Sequence, residues 1–198
     1  MRILIVGATG TIGKAVSNAL SDQHEIITAS RNGDVKVDLS DPQSIGRMFE
    51  TVGKVDAVIS TAGSGKFGPL DQLSDDDFAF GLGNKLMGQI NLVRLGRDYV
   101  NDGGFFTLTS GILAVQPNPA SVLLTTLNAG LEGFVRAAAL DMPRDQHISV
   151  VSPPAERETM EKMGWGRGGV LVADVAQLYV DSLTAEHDGL TIDFHQAA

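Results

Sequence analysis

The sequence predicts an α/β fold: a doubly wound three-layer sandwich on a mostly parallel sheet of about seven strands. Three observations predict it. Short apolar runs alternate with stretches of helical periodicity along the whole chain, the pattern of a parallel sheet covered on both faces. The first apolar run leads directly into a glycine-rich turn that opens a helix. No repeat, low-complexity tract or linker interrupts the 198 residues, so one domain over 1–198 with one sizeable core is expected.

In chain order, Ile3 to Val6 reads as a buried first strand, followed by the turn Gly7 to Gly13. Ile12, Val16, Ala19 and Leu20 recur at i, i+4, i+7 and i+8, which marks a helix. Glu25 to Ala29 is a second strand and Val35 to Val37 a short third. A helix over Ser44 to Val52 stands behind Asp41-Pro42, and Val55 to Ser60 is the fourth strand. A Gly- and Pro-containing loop runs from Ser64 to Pro69. Asp75 to Tyr99 reads as one long helix, with Asp75, Asp76 and Asp77 in the first turn, where the helix dipole favours acidic groups. Gly103-Gly104 precedes a fifth strand, Phe105 to Leu108. Leu127, Leu131, Phe134, Val135 and Ala138 give a further helix that Pro143 ends, in a helical stretch beginning near Leu123. Ile148 to Val151, Val172 to Ser182 and Leu190 to Phe194 complete the order as strand, helix and strand.

Bulk composition excludes several function classes. Hydrophobic residues make up 43% and charged residues 20%, an ordinary globular balance. A net charge of -9 opposes binding to nucleic acid, which requires a basic face. The chain has no cysteine, which excludes disulfides, thiolate metal sites and cysteine catalysis. No apolar run approaches the ~20 residues of a membrane helix, and the N-terminal run is too short for a signal peptide. A cytoplasmic protein with no membrane partner is expected.

The most informative segment is Gly7-Ala8-Thr9-Gly10-Thr11-Ile12-Gly13. A bare Gly-x-x-Gly-x-x-Gly is a weak signal. Placed directly after a strand and at the opening of a helix, it is the Rossmann-type arrangement for a dinucleotide diphosphate. Gly7 permits the tight turn, Gly10 lets the backbone approach the diphosphate, and Gly13 lets the helix lie close to the sheet. The helix N-terminus then offers free N–H groups to the phosphates. After the second strand, where an acidic residue would hold the ribose hydroxyls of NAD, the sequence has Ala29-Ser30-Arg31-Asn32. Ser30 and Arg31 match a 2′-phosphate, which favours NADP(H) over NAD(H); the alternative is Arg31 as a solvated surface charge.

From these residues onward, nearly the whole chain resembles the short-chain dehydrogenase/reductase family. Val37-Asp38-Leu39 resembles the family's Asp-hydrophobic pair, so Asp38 and Leu39 are expected at the adenine. Thr61-Ala62-Gly63 resembles its Asn-Ala-Gly, with Thr61 in place of Asn. Asn84-Lys85-Leu86-Met87-Gly88 resembles the fourth-helix segment with the family's structural Asn, a position that Asn84 then takes. Leu108-Thr109-Ser110 resembles the end of the fifth strand, which puts Ser110 at the catalytic serine position. Val151-Ser152-Pro153 resembles the segment after the sixth strand; Pro153 is carried over to the cofactor, and Pro154 stands where the family usually has Gly.

The family's proton transfer uses a Tyr and a Lys at i, i+4, stacked on one helical face. The segment Asn128-Ala129-Gly130-Leu131-Glu132-Gly133-Phe134 resembles the one that begins at that Lys. Asn128 therefore stands at the Lys position and Leu124 at the Tyr position, and no Tyr lies between Tyr99 and Tyr179. Leu has no proton to give, and Asn has no charge, though it can hydrogen-bond a ribose. A positioned acid contributes on the order of 10²–10⁴ in rate. The resemblance thus implies an oxidoreductase acting on a small carbonyl or alcohol, with a degenerate site. The alternative is a binding module that holds the dinucleotide without turnover.

Other candidates are weaker. A free Ser110, Thr125 or Thr126 hydroxyl is a poor acid at neutral pH. Lys85, as the helical neighbour of Asn84, reads as a surface residue. His24, His147, His187 and His195 show no metal-ligand spacing, and His195 reads as a solvated tail residue. The stretch from Ala155 to Gly169, with Glu156, Arg157, Glu158, Glu161 and Trp165, reads either as a mobile lid over substrate or as a disordered connection. The two long helices resemble those of the family's subunit interface, which implies a homodimer or homotetramer.

Overall fold

The computed structural model describes residues 1–162, 164, 166 and 168–194. Among these residues, seven strands form one sheet in the order β3-β2-β1-β4-β5-β6-β7. They are β1 (Arg2–Val6), β2 (Glu25–Ser30), β3 (Val35–Lys36), β4 (Val55–Ser60), β5 (Val100–Thr109), β6 (His147–Val151) and β7 (Thr191–Ile192). Every strand pairing is parallel. The chain winds outward from β1 through β2 to β3, then returns to β4 on the other side of β1 and winds outward again. This reversal leaves a crevice beyond the C-terminal ends of β1 and β4, where open α/β sheets place their ligands.

Two apolar layers hold the helices to the sheet. Strand alternation sends Leu4 and Val6 to one face and Ile3 and Ile5 to the other, all at most 1% exposed. The first face packs with Phe49, Leu92, Leu131 and Val135, from α2 (Pro42–Val52), α4 (Gly88–Gly96) and α5 (Val122–Ala138). The second packs with Val16, Leu20, Val175 and Tyr179, from α1 (Thr11–Leu20) and α7 (Val172–Asp181). Each fully buried aliphatic side chain contributes about 1.5–3 kcal/mol, so both layers are needed for a domain of this size.

Helix starts follow local chemistry. Asp41 caps α2 by accepting from the Gln43 amide, and Pro42 sits in the first turn, which extends the helix two residues upstream of the expected Ser44. Ser74 and Asp77 form a reciprocal capping box on α3 (Asp75–Gly81). The stretch expected as one helix from Asp75 to Tyr99 is interrupted. Between α3 and α4, Leu82–Met87 is a π-helix, and the strand β5 already begins at Val100, upstream of the expected Phe105. Within 155–169, Arg157–Lys162 forms the short helix α6, and Glu156 bridges in parallel to Val170. Trp165 and His195 lie outside the described residues. No helix among the described residues is long and apolar enough to cross a membrane, and they contain no His/Asp/Glu cluster able to hold a metal.

Candidate dinucleotide site

The crevice begins where β1 ends. Gly7 turns the chain with φ +90, and a Cβ there would meet Ala62 Cβ at 2.8 Å and Thr61 Oγ1 at 2.9 Å. At Gly13 a Cβ would lie 2.3 Å from the Gly7 carbonyl oxygen and 2.7 Å from Ala8 Cα, so only glycine lets α1 sit this close to the turn. Gly10 is the N-cap of α1 and supplies no side-chain cap. Lys14 donates to the Gly10 carbonyl at 3.0 Å, so the open amide donors of the first turn lie ahead of it.

A cleft of about 300 Å³ runs along this turn. Of the residues expected at a cofactor, Gly7, Thr9 and Gly10 line its centre. Ser30, Arg31, Asp38 and Leu39 line one arm, and Thr61, Ala62 and Gly63 line the other. Asn32, Val37, Ser64 and Phe80 also line it and were not singled out in the sequence. Thr11, Ile12, Gly13, Asn128 and Pro153 are not among the lining residues. Pro153 is buried and accepts the Ile112 amide through its carbonyl at 2.9 Å.

Two features fit a phosphorylated dinucleotide. Ser30 is 7% exposed, and its hydroxyl is buried with no hydrogen-bond partner among the described residues, beside the exposed Arg31. A buried orphan hydroxyl is costly unless a ligand satisfies it. The second feature is the glycine cradle at Gly7 and Gly13, which side chains would fill.

The arm at β4, β5 and α5 is different. Asn84 lines the cleft and ties two loops together: its Oδ1 accepts from the Ser64 amide at 2.8 Å and its Nδ2 donates to Ser40 Oγ at 2.9 Å. Leu124 packs over the loop after β4, where a Cβ on Gly65 would meet its Cδ2 at 2.9 Å. Asn128 is 3% exposed, donates to the Gly111 carbonyl at 3.3 Å and leaves its Oδ1 without a partner among the described residues. Ser110 does not reach this surface. Its hydroxyl is buried and donates to Glu132 Oε1 at 2.9 Å, and the residue facing Asn128 is Gly111. Past the end of β5, one position decides which side a group faces, and Ser110 falls on the inner side.

Lys85 overturns the surface reading. It is 8% exposed, and its ammonium donates to the carbonyls of Thr109 at 3.3 Å and Ser110 at 3.1 Å. Burial pushes its pKa down to about 8, partly opposed by the Glu156 carboxylate. Tyr179 is fully buried on the opposite face of the sheet, where its hydroxyl meets Thr109 Oγ1 at 2.7 Å and burial raises its pKa. It is a core residue of the α7 layer.

Comparison with known proteins agrees with this fold. A family model described as enoyl-(acyl carrier protein) reductase matches residues 7–180. The fold and the glycine turn define a dinucleotide-fold protein, and the chain belongs to the short-chain dehydrogenase/reductase family. Among solved structures, it is similar to the protein lin1944 from Listeria innocua, with 40% identity, a TM-score of 0.94, and 98% of this chain and 99% of that one covered. A small-chain dehydrogenase solved in complex with NADPH shares the fold at a TM-score of 0.86 and 23% identity, over 98% of this chain and 95% of that one. Among curated relatives, hydroxynaphthalene reductase arp2 of Aspergillus fumigatus is 28% identical over 64% of this chain and 48% of its own length. Carbonyl reductase family member 4 of Danio rerio is 24% identical over 76% of this chain and 73% of its own. The chain thus spans about half the length of the first of these relatives.

Proposed function

We propose that this protein binds NADP(H) in the crevice as a short-chain dehydrogenase/reductase with a degenerate site, and that it reduces or oxidises small carbonyl or alcohol substrates slowly at most. The observation that carries the reading is the orphan Ser30 hydroxyl beside Arg31 at the end of β2, a pair suited to a 2′-phosphate. The NADPH complex of one structural relative lends support.

In this reading, the open amides at the start of α1 hold the diphosphate, and Gly7 and Gly13 keep the backbone close enough to do so. Asp38 and Leu39 flank the adenine, and Thr61 to Gly63 line the path of the nicotinamide half. Asn128 stays behind the cleft, held at the Gly111 carbonyl, so a hydrogen bond from it to a ribose requires that contact to open. The bound group supplies hydride chemistry of its own. The chain supplies binding and orientation, with Leu124 and Gly111 at the surface where the family's proton donors stand. A second reading, a non-catalytic redox sensor or scaffold, is favoured by one observation: the Ser110 hydroxyl is engaged with Glu132 inside the protein.

Exposed Phe80, Leu82, Met87 and Leu95 along α3, the π segment and α4 support a homodimer or homotetramer, which light scattering on the purified chain would test.

The test of function is thermal stability with NADPH, NADP⁺, NADH and NAD⁺, followed by NADPH oxidation across a panel of small carbonyls. A ligand at ~100 times its dissociation constant stabilises by about 2.7 kcal/mol. The NADP pair should raise the melting temperature more than the NAD pair. No shift with any of the four overturns the reading, and rapid turnover of any carbonyl overturns the degenerate site.

A further inference from the structure

We propose that Lys85 is a fixed positive charge behind the nicotinamide end of the crevice, and that it makes the protein hold the reduced dinucleotide more tightly than the oxidised one. The inference rests on the dinucleotide reading above.

The placement follows from topology. With the diphosphate at α1 and the 2′-phosphate at Ser30 and Arg31, the nicotinamide extends the other way, toward Thr61 to Gly63 and the end of β5. Lys85 crosses directly behind this arm. A Cβ on Gly63, which lines the cleft, would lie 2.9 Å from Lys85 Cγ. The ammonium ends at the Thr109 and Ser110 carbonyls, at the point where β5 leaves the sheet. The π-helix at Leu82–Met87 aims the side chain inward, and single π turns recur at functional sites.

The charge is not needed for the hydrogen bonds. Gln89 already serves the same strand end with a neutral amide, donating to the Thr109 carbonyl at 2.9 Å and accepting the Thr109 N–H at 2.8 Å. An ammonium in the same layer carries a desolvation penalty that an amide avoids. What Lys85 adds is positive charge. An oxidised nicotinamide ring is cationic and a reduced one is neutral, so a nearby buried cation disfavours only the oxidised form.

Burial sets the titration of Lys85, and these are the charged and titratable groups on the elements packed near it. Glu156, on the segment after β6, opposes its loss of charge. Glu132 of α5 is held by Ser110 Oγ. Tyr179 of α7 reaches Thr109 from the other face of the sheet. Asp77 of α3 is engaged by Lys66. Lys85 itself loses its proton near pH 8, so the preference should fade above that pH. Reciprocally, oxidised dinucleotide should lower the Lys85 pKa and release a proton on binding.

The test is calorimetric titration of the full chain with NADPH and with NADP⁺ at pH 6.5 and 9.5. The preference for NADPH should be about tenfold larger at the lower pH, the equivalent of one pKa unit. Lys85→Arg, which keeps its charge across this range, should hold the preference at both pH values, and Lys85→Met should have none at either. If the wild-type ratio is the same at both pH values, or Lys85→Met keeps the low-pH preference, the proposal is overturned while the cofactor reading stands. If neither dinucleotide binds, both fall. Should Lys85→Met fail to fold, the wild-type pH pair and Lys85→Arg decide the matter.

Discussion

The two arms of the crevice are built to different standards. Around β1 and β2, the backbone itself makes the site: Gly7 and Gly13 stand where a Cβ would meet atoms at 2.8 Å or less, and Ser30 presents an unpartnered hydroxyl. Around β4, β5 and α5, the surface carries Leu124 and Gly111, while the polar groups Ser110, Glu132 and Lys85 lie buried behind it. Under the proposed function, the first arm holds the dinucleotide, while the second supplies Leu124 and Gly111 at its surface in place of a positioned acid and keeps the Lys85 charge behind it. Binding and proton transfer then fall to different arms of the crevice.

The largest effect should come from the backbone cradle. Gly13→Ala drives a Cβ into the Gly7 carbonyl, a backbone obstacle that cannot swing aside, and should cost about 4 kcal/mol in urea unfolding. At Gly111 of the other arm, the nearest obstacle is the Asn128 side-chain amide at 2.9 Å. That group can move, so Gly111→Ala should cost less, about 2 kcal/mol, most of it from its φ of +152. Equal losses would erase the distinction between the arms.

Next is the buried cation. Lys85 has a folded-state pKa of about 8, against ~10.4 for an unfolded lysine. Between these values the folded state holds fewer protons than the unfolded state, so stability should rise as pH rises through this window. The gain is on the order of 3 kcal/mol at most. Unfolding midpoints from pH 7.5 to 10.5, compared between wild type and Lys85→Met, would isolate it: the variant should lose this upward slope.

Arg31→Ala should weaken NADPH binding about tenfold, a charge-assisted bond of about 1.5 kcal/mol, and leave NADH unchanged. An equal loss for both would place Arg31 away from the 2′-phosphate. The smallest effect should come from Ser110→Ala. It removes one buried donor to Glu132, at about 1 kcal/mol of stability, and should leave NADPH affinity within about twofold, as measured by fluorescence titration.

The strand and helix order and the glycine turn were legible because they depend on signals the chain states locally. Periodicity marks the layers, and glycine marks the places where the backbone approaches itself. The inner arm was less legible. Asn84 and Lys85 are neighbours, and a regular helical phase puts Lys85 outside; the π segment shifts that phase and turns Lys85 into the core. Nothing in the local composition announces this turn. Ser110 shows a related limit. Strand alternation at the end of β5 decides whether the hydroxyl faces cleft or core, and a shift of one residue exchanges Ser110 for Gly111. Long-range pairing also extended β5 back to Val100, across Gly103-Gly104, which the sequence places ahead of the strand. The orphan state of the Ser30 hydroxyl is a packing property that no pattern shows.

The most direct measurement is a backbone amide NMR titration with NADPH, following Gly10, Thr11, Ile12 and Gly13. If diphosphate rests on the opening of α1, these amides shift together with Ser30 and Arg31 as NADPH approaches saturation. If they stay fixed while NADPH binds, or if no amide in the chain moves, the ligand is not held by this turn.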